Sequence, residues 1–173
     1  AKNESWEAIR YEGYGPGGVA LIVDTLTDNR NRTASNVRSA FTKYGGNLGE
    51  TNSVSFLFDR VGSVQYGADS ATDEEMMDAA VGAGARDCDS TSDCHNVTCE
   101  PNDLHHVAKT LGESFGDPRL AALLWRPQST VPIEEDNALS LFKLMEVLED
   151  DDDVQSVSSN FEISEDVMSR LSA

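Results

Sequence analysis

The stretch Val19-Ala-Leu-Ile-Val23 is an uninterrupted apolar run of strand length, rich in β-branched residues. Such a run predicts a buried strand. The polar residues 25–32 predict a loop, and Thr33 is suited to cap the helix that follows. Apolar residues then recur at the three- and four-residue spacing of an amphipathic helix, namely at Ala34, Val37, Ala40, Phe41 and Tyr44. A second apolar run at 54–58 completes a strand–loop–helix–strand unit.

Residues 61–127 carry a second pattern of short elements. The sequence predicts strands at 63–66, 87–90, 96–99 and 120–125, and helices at 73–83 and 101–115. This order, strand–helix–strand–strand–helix–strand, is that of a ferredoxin-like domain.

A helix at 138–148 and a strand at 154–158 follow this small domain. Both need a sheet to join, and the nearest one is the first unit. We therefore predict an α+β fold with two small α/β-sandwich domains. A ferredoxin-like domain, residues 61–127, is inserted into a host domain made of 1–60 and 128–173.

Charge is divided unevenly along the chain. The 173 residues contain 13 Lys and Arg against 31 Asp and Glu, a net charge of −18. Residues 1–60 hold seven bases and seven acids, whereas 61–173 hold six bases and 24 acids. An anion-binding face in the first part, beside an acidic and solvated remainder, would give this asymmetry.

Composition excludes several classes of protein. Apolar residues make up 39% of the chain, enough to close a core. No apolar stretch approaches the roughly 20 residues that cross a bilayer, and three cysteines are too few for a disulfide scaffold. We expect a cytoplasmic protein without a membrane partner.

The most informative polar stretch is Thr27-Asp-Asn-Arg-Asn-Arg-Thr33. It places Arg30 and Arg32 before a helix whose first N–H groups and dipole favour an anion. Guanidinium groups at such a position can add bidentate phosphate contacts. The alternative is a solvated loop in which the arginines pair with Asp24 or Asp28.

Other motifs do not support a catalytic or metal site. Gly13, Gly15 and Gly18 match G-x-G-x-x-G, but they precede a strand instead of following one, so we assign them to a tight turn. The group Cys88, Cys94, His95 and Cys99 lacks C-x₂-C spacing, and alternation along a hairpin would scatter its side chains. We predict no catalytic residue, no metal, no cofactor and no small-molecule substrate.

Several blocks together resemble one protein family, YebC/PmpR, which includes the mitochondrial translational activator of cytochrome c oxidase subunit I. The blocks are Tyr11-Glu-Gly-Tyr-Gly-Pro-Gly-Gly-Val-Ala20, Thr27-Asp-Asn-Arg-Asn-Arg-Thr33, Gly45-Gly-Asn-Leu-Gly49 and the acidic run from Leu148 to Gln155. The resemblance implies a basic helical N-terminal domain followed by two α+β domains, one inserted in the other. We expect this sequence to lack the first of the three domains.

The resemblance also implies a function. The family is described as DNA-binding transcriptional regulators, and some members as translation factors that act at the ribosome. We therefore expect a DNA-binding regulator of gene expression, with a ribosome-associated factor contacting rRNA as the alternative. The residues expected to contact nucleic acid, with Arg38 and Lys43 as supporting phosphate contacts, are Asn29, Arg30, Asn31, Arg32, Thr33, Arg38 and Lys43.

Overall fold

A computed structural model describes residues 5–172. In chain order the elements are β1 (Glu7–Tyr14), β2 (Ala20–Thr27), α1 (Arg30–Lys43), β3 (Asn47–Leu48), β4 (Phe58–Gly67), α2 (Asp73–Gly82), β5 (Asp87–Ser90), β6 (Cys94–Cys99), α3 (Leu104–Phe115), β7 (Leu120–Pro127), β8 (Val131–Pro132), α4 (Glu135–Glu149), β9 (Val154–Ser159), β10 (Phe161–Glu162) and α5 (Glu165–Ser172). Internal contacts divide the chain into two units. The first contains the residues up to Asp59 and from Pro127 onward, and the second spans Arg60–Arg126.

The first unit is built on a sheet with strand order β3-β1-β2-β9. β1 and β2 form an antiparallel hairpin, and β9 pairs with the other side of β2. The first four residues of β2 are fully buried, as their apolar run predicts. Helices α1 and α4 supply the rest of the core, which includes Val37, Phe41, Leu141 and Leu144.

The second unit has the strand order β5-β6-β4-β7, the order of a ferredoxin-like sheet. α2 and α3 bury Met76, Ala80, Val107 and Leu111 together with the strand residues Val64 and Val97. The predicted fold class, α+β with two small α/β-sandwich domains, is confirmed. Within residues 5–172, no helix has the length and apolar character needed to cross a membrane.

The glycine-rich segment differs from its prediction as a turn. Tyr11 to Tyr14 belong to β1, and the turn is confined to the residues after them, where Gly17 and Gly18 have φ of 78° and 79°. Gly13 lies within the strand, at a position where β3 approaches so closely that no side chain fits. A Cβ at Gly13 would stand 2.5 Å from the backbone oxygen of Asn47.

The two strands predicted at 54–58 and 63–66 are wrong in their bounds. Ser55–Leu57 is a 3₁₀ turn, and β4 runs without interruption for ten residues. The apolar run leaves the sheet because the N–H groups of Val54 and Ser55 donate to the carboxylate of Glu12, not to a strand. Gly62 lies inside β4, where a Cβ would stand 2.8 Å from the Cys99 sulfur.

Candidate nucleic-acid interface

The helix that carries the predicted basic residues begins earlier than expected. Asn29 is the N-cap, not Thr33, and its side-chain oxygen accepts the N–H of Arg32 at 3.1 Å. The backbone N–H of Asn29 donates in turn to the hydroxyl of Thr27 at 2.9 Å. Arg30 and Arg32 therefore lie in the first turn of α1 and not in a preceding loop.

Arg32 is held by carboxylates, although its side chain is 46% exposed. Its Nε and Nη2 donate to the two oxygens of Asp153 at 3.1 and 2.8 Å, and Nη2 also lies 3.2 Å from Asp28. Thr33 is fully buried, and its hydroxyl lies 2.7 Å from Asp153 Oδ2. The hydrogen bonds from Arg32 and Thr33 lower the pKa of Asp153 below its ordinary value. These contacts fix the start of α1 against the segment that leads into β9.

Arg30 and Arg38 line one cleft, between β1, α1 and the segment Leu48–Thr51. Arg30 donates from Nη1 to Glu7 Oε2 at 2.9 Å, and both side chains are about half exposed or more. Arg38 is exposed and has no ion pair among residues 5–172. In this cleft the Arg30 guanidinium is in a weak exposed ion pair, and the Arg38 guanidinium has no carboxylate partner among the described residues.

The same cleft is lined by a third arginine, Arg10, which sequence analysis did not single out. Its Nε donates to Glu12 Oε2 at 2.7 Å and its Nη2 donates to Asn52 Oδ1 at 3.0 Å. Arg10 and Glu12 are two residues apart, so they lie on one face of β1. An Arg-x-Glu pair is a usable signal only after the segment is recognised as a strand. Gly13 and the glycines that follow β1 predicted a turn here instead.

Glu12 is the fully buried carboxylate that organises this edge of the cleft. Burial raises the pKa of Glu12, but the hydrogen bonds from the backbone of Val54 and from Arg10 outweigh it, and the net shift is downward. The N–H groups of Val54 and Ser55 lie 3.0 and 2.8 Å from Glu12 Oε1. A charged Glu12 therefore fixes both the Arg10 side chain and the segment after Asn52.

Lys43 lies apart from this cleft. It is near the C-terminal end of α1, where Nζ is 5.5 Å from the centre of the Tyr44 ring. It lines a separate pocket with Asp150 and Asp151. Asn31 is exposed in the first turn of α1, beside Arg30. The seven predicted residues thus divide into a cleft group, a group whose polar atoms anchor the start of α1, and one outlying lysine.

The cysteine and histidine cluster contributes no site. His95 is fully buried, with Nδ1 2.7 Å from the Ser90 hydroxyl and Nε2 2.9 Å from the carbonyl oxygen of Ala71. Cys88 and Cys99 are buried, and burial raises the pKa of both thiols. Within the described residues, no three His, Cys, Asp or Glu side chains are grouped so as to hold a metal ion.

Both the sequence and the structure of this chain are similar to known proteins. The family model described as "TACO1/YebC second and third domain" matches residues 6–161. The structure is similar to the crystal structure of a conserved hypothetical protein, Aq1575, from Aquifex aeolicus, with a TM-score of 0.86 and 43% sequence identity. The alignment covers 95% of this chain and 68% of that chain.

Proposed function

The chain belongs to the TACO1/YebC family, a family of regulators, and we propose that it is a nucleic-acid-binding regulator of gene expression. The observation that carries the proposal is the cleft shared by Arg10, Arg30 and Arg38. Guanidinium groups match phosphate oxygens with two parallel hydrogen bonds and keep their charge at every physiological pH. Arg30 and Arg38 on one cleft are suited to a phosphodiester backbone, and Arg10, held by Glu12, adds positive charge beside them.

Each basic residue has a defined part in this proposal. Arg38 contacts phosphate directly, and Arg30 exchanges Glu7 for phosphate, since an exposed ion pair is worth only about 0–1 kcal/mol. Along α1 the two are about 12 Å apart at 1.5 Å per residue, enough to span more than one phosphate. Arg10 is held by Glu12 and Asn52, so it contributes charge from β1 and not a direct phosphate contact. Asn31 supplies a polar contact beside Arg30, and Lys43 is a supporting contact further along the helix.

The remaining predicted residues fix the first turn of α1 in place and do not contact the nucleic acid. Asn29 caps α1, and Arg32 and Thr33 bind Asp153. Their polar atoms are used within the protein, so we assign them the role of presenting the first turn of α1. Contacts of this kind orient the protein on a nucleic acid and do not identify bases.

The finer assignment is a DNA-binding transcriptional regulator that acts in the cytoplasm and is not an enzyme. The alternative is a ribosome-associated translation factor that contacts rRNA. One observation favours the alternative: the side chains of Asn29 and Arg32 are used within the protein, which leaves fewer side chains at the start of α1 to read bases in a major groove. Recognition of RNA by shape and backbone needs no such row.

A salt series tests the proposal. We expect the double variant Arg30→Ala/Arg38→Ala to lower the slope of log affinity against log salt by about 1.8 on duplex DNA, near 0.9 for each lost phosphate contact. The matched control is Lys109→Ala/Lys143→Ala, which removes the same charge from exposed positions on α3 and α4. Equal slopes for the two double variants would contradict the proposed site.

Sedimentation separates the two partners. Protein from a cell lysate is run through a sucrose gradient at low and high salt. Co-migration with ribosomes that salt disrupts, and that the Arg30→Ala/Arg38→Ala variant loses, would support rRNA. Protein found only at the top of the gradient, together with a shifted promoter fragment, would support DNA.

A further inference from the structure

The side of α1 that lines the arginine cleft has a gap between its two arginines. Arg30, Ala34 and Arg38 are spaced four residues apart, so they follow one another along one side of the helix. Ala34 lines the cleft between the two long basic side chains and is partly buried. Because an alanine side chain ends at Cβ, it leaves a hollow between two positive charges, which we call the Ala34 hollow.

Apolar side chains from other elements line the same cleft. Ile9 and Tyr11 are two residues apart on β1 and therefore share one face of the strand, and Leu48 belongs to β3. All three are partly buried, and Tyr11 and Leu48 also pack against the core of the first unit. The cleft thus combines one aromatic ring and several aliphatic side chains with the cations of α1.

The cleft has room for a ligand because β3 is short. Among the described residues, β3 pairs only with Gly13 and Tyr14, so the rest of β1 has no neighbouring strand on this side. The cleft has a volume of about 330 Å³. This volume is at the lower end of the roughly 300–1,000 Å³ of sites that hold small ligands. A cleft of this size accommodates one unit of a polymer at a time.

The arginines that line the cleft outnumber its carboxylates. Arg10, Arg30 and Arg38 stand against Glu12, which is bound to Arg10, and Glu50, which is exposed. A nucleotide within a strand has the complementary composition, since it joins a flat ring system to a negatively charged phosphate. Both the apolar lining and the charge of the cleft therefore suit a nucleotide.

We propose that the Ala34 hollow binds one unpaired base of a single-stranded nucleic acid, with the base against Tyr11 and the neighbouring phosphates at Arg30 and Arg38. This inference rests on the proposed function and adds the form of the nucleic acid that binds. Every base has a face that stacks on an aromatic side chain. Single-stranded loops and ends expose this face, whereas a duplex covers it with the neighbouring base pairs.

The test compares two fluorescent single strands of about ten nucleotides, a length within the range that single-strand-binding domains cover. One is oligothymidylate, and the other is an abasic strand with the same sugars and phosphates. We expect the protein to bind the strand with bases about tenfold more tightly. Equal affinities that both fall with salt would overturn the inference and leave the proposed phosphate contacts intact. Binding of neither strand would also overturn it, and duplex DNA measured in parallel shows whether the proposed function fails too.

The position of the base is tested with Ala34→Leu, because leucine fills the hollow and keeps both arginines. We expect this variant to lose the preference for bases and to bind the abasic strand as wild type does. Ser35→Leu is the matched control, since Ser35 is the next residue of α1, is exposed and does not line the cleft. Arg38→Ala should weaken both strands by the same factor. A preference for bases that Ala34→Leu retains would overturn the proposed position.

The contribution of the aromatic ring is tested with two variants of Tyr11. Tyr11→Phe keeps the ring and should keep the preference for bases, whereas Tyr11→Leu should lose most of it. Melting temperatures establish that both variants are folded. Equal preferences in folded Tyr11→Phe and Tyr11→Leu proteins would overturn stacking on this residue.

Free thymidine monophosphate distinguishes a strand from a single nucleotide as the ligand. We expect it to displace oligothymidylate only at a far higher concentration, because it lacks the neighbouring phosphates. Displacement at a concentration equal to that of the strand would assign the cleft to a free nucleotide and would overturn the proposed ligand.

Discussion

Arg32 donates two hydrogen bonds to the carboxylate of Asp153, 121 residues further along the chain. The same carboxylate accepts the buried hydroxyl of Thr33, and the backbone oxygen of Asp153 accepts the N–H of Leu26. One aspartate thus joins the end of β2, the first turn of α1 and the start of β9. The stretch 27–33 predicted an anion site, but two of its residues, Arg32 and Thr33, instead hold the elements of the first unit together.

Replacement of Asp153 is therefore expected to reduce stability. Asp153→Ala should lower the free energy of unfolding by about 1–3 kcal/mol, because the buried Thr33 hydroxyl loses its carboxylate acceptor. Asp153→Asn should cost less, since it keeps one acceptor oxygen. Urea denaturation measures both, with the exposed neighbour Asp152→Ala as the control. A midpoint for Asp153→Ala equal to that of Asp152→Ala would refute the anchoring role.

Arg32 and Arg38 are expected to differ in what their loss changes. Arg38→Ala should reduce the salt slope for duplex DNA by about 0.9 and leave the urea midpoint unchanged. Arg32→Ala should lower the urea midpoint and leave the salt slope as it is, because its guanidinium is bound to Asp153. The reverse pattern would assign the phosphate contact to Arg32 and remove Arg38 from the interface.

Local sequence patterns were sufficient to predict an element where the observed packing buries the same residues that the pattern marks as apolar. The apolar run at the start of β2 and the three- and four-residue spacing in α1 predicted the core of the first unit. The element order of residues 61–127 predicted a ferredoxin-like sheet. In α1 the side-chain spacing is the period of the observed helix, and the continuous apolar run of β2 is that of a strand buried on both faces.

Contacts between distant residues decide the rest. β1 contains one glycine, Gly13, which lowers its strand propensity, and only the approach of β3 explains it. Val54 and Ser55 leave the sheet because Glu12, far away in sequence, accepts their N–H groups. Arg10 joins the cleft through the same carboxylate. No window of neighbouring residues places Arg10 beside Arg30 and Arg38, so the sequence analysis singled out these two and not Arg10.

Glu12 is expected to make stability depend on acid pH. Its pKa is lowered in the folded protein, since the hydrogen bonds from Val54 and Arg10 outweigh burial. A carboxyl group with a lowered folded-state pKa stabilises fully above its unfolded value of about 4.3 and loses this contribution as the pH falls through the folded value. Glu12→Gln should cost about 1–3 kcal/mol at pH 7.

The difference between wild type and Glu12→Gln should therefore shrink as the pH is lowered below about 4. Urea midpoints measured from pH 7 to pH 3 give this difference directly. Glu50→Gln is the control, because Glu50 is an exposed residue near the same cleft. A difference that is constant across the range would show that Glu12 acts by shape and not by charge.

Substitution of two glycines by alanine is expected to change the free energy of unfolding in opposite directions. A Cβ at Gly13 would stand 2.5 Å from the Asn47 oxygen and 2.9 Å from the Leu48 Cα, both backbone atoms that cannot rotate away. Gly13→Ala should therefore destabilise the chain by about 1–3 kcal/mol. Gly112 lies inside α3, and apart from its chain neighbours and the backbone of its own helix no atom of the described residues lies within 4 Å of its Cβ position. Gly112→Ala should stabilise by about 0.5–1 kcal/mol, since alanine favours a helix.

The Gly13 variant also tests how the cleft is built. β3 leads directly into the segment Leu48–Thr51 that lines the cleft with Arg10, Arg30 and Arg38. A displaced β3 moves this wall, so we expect Gly13→Ala to weaken binding of duplex DNA, while Gly112→Ala binds as wild type. Fluorescence anisotropy at a temperature below both unfolding transitions, as established by melting curves of the two variants, separates binding from stability. Wild-type affinity in a Gly13→Ala protein that is measurably destabilised would show that the Leu48–Thr51 wall plays no part in the interface.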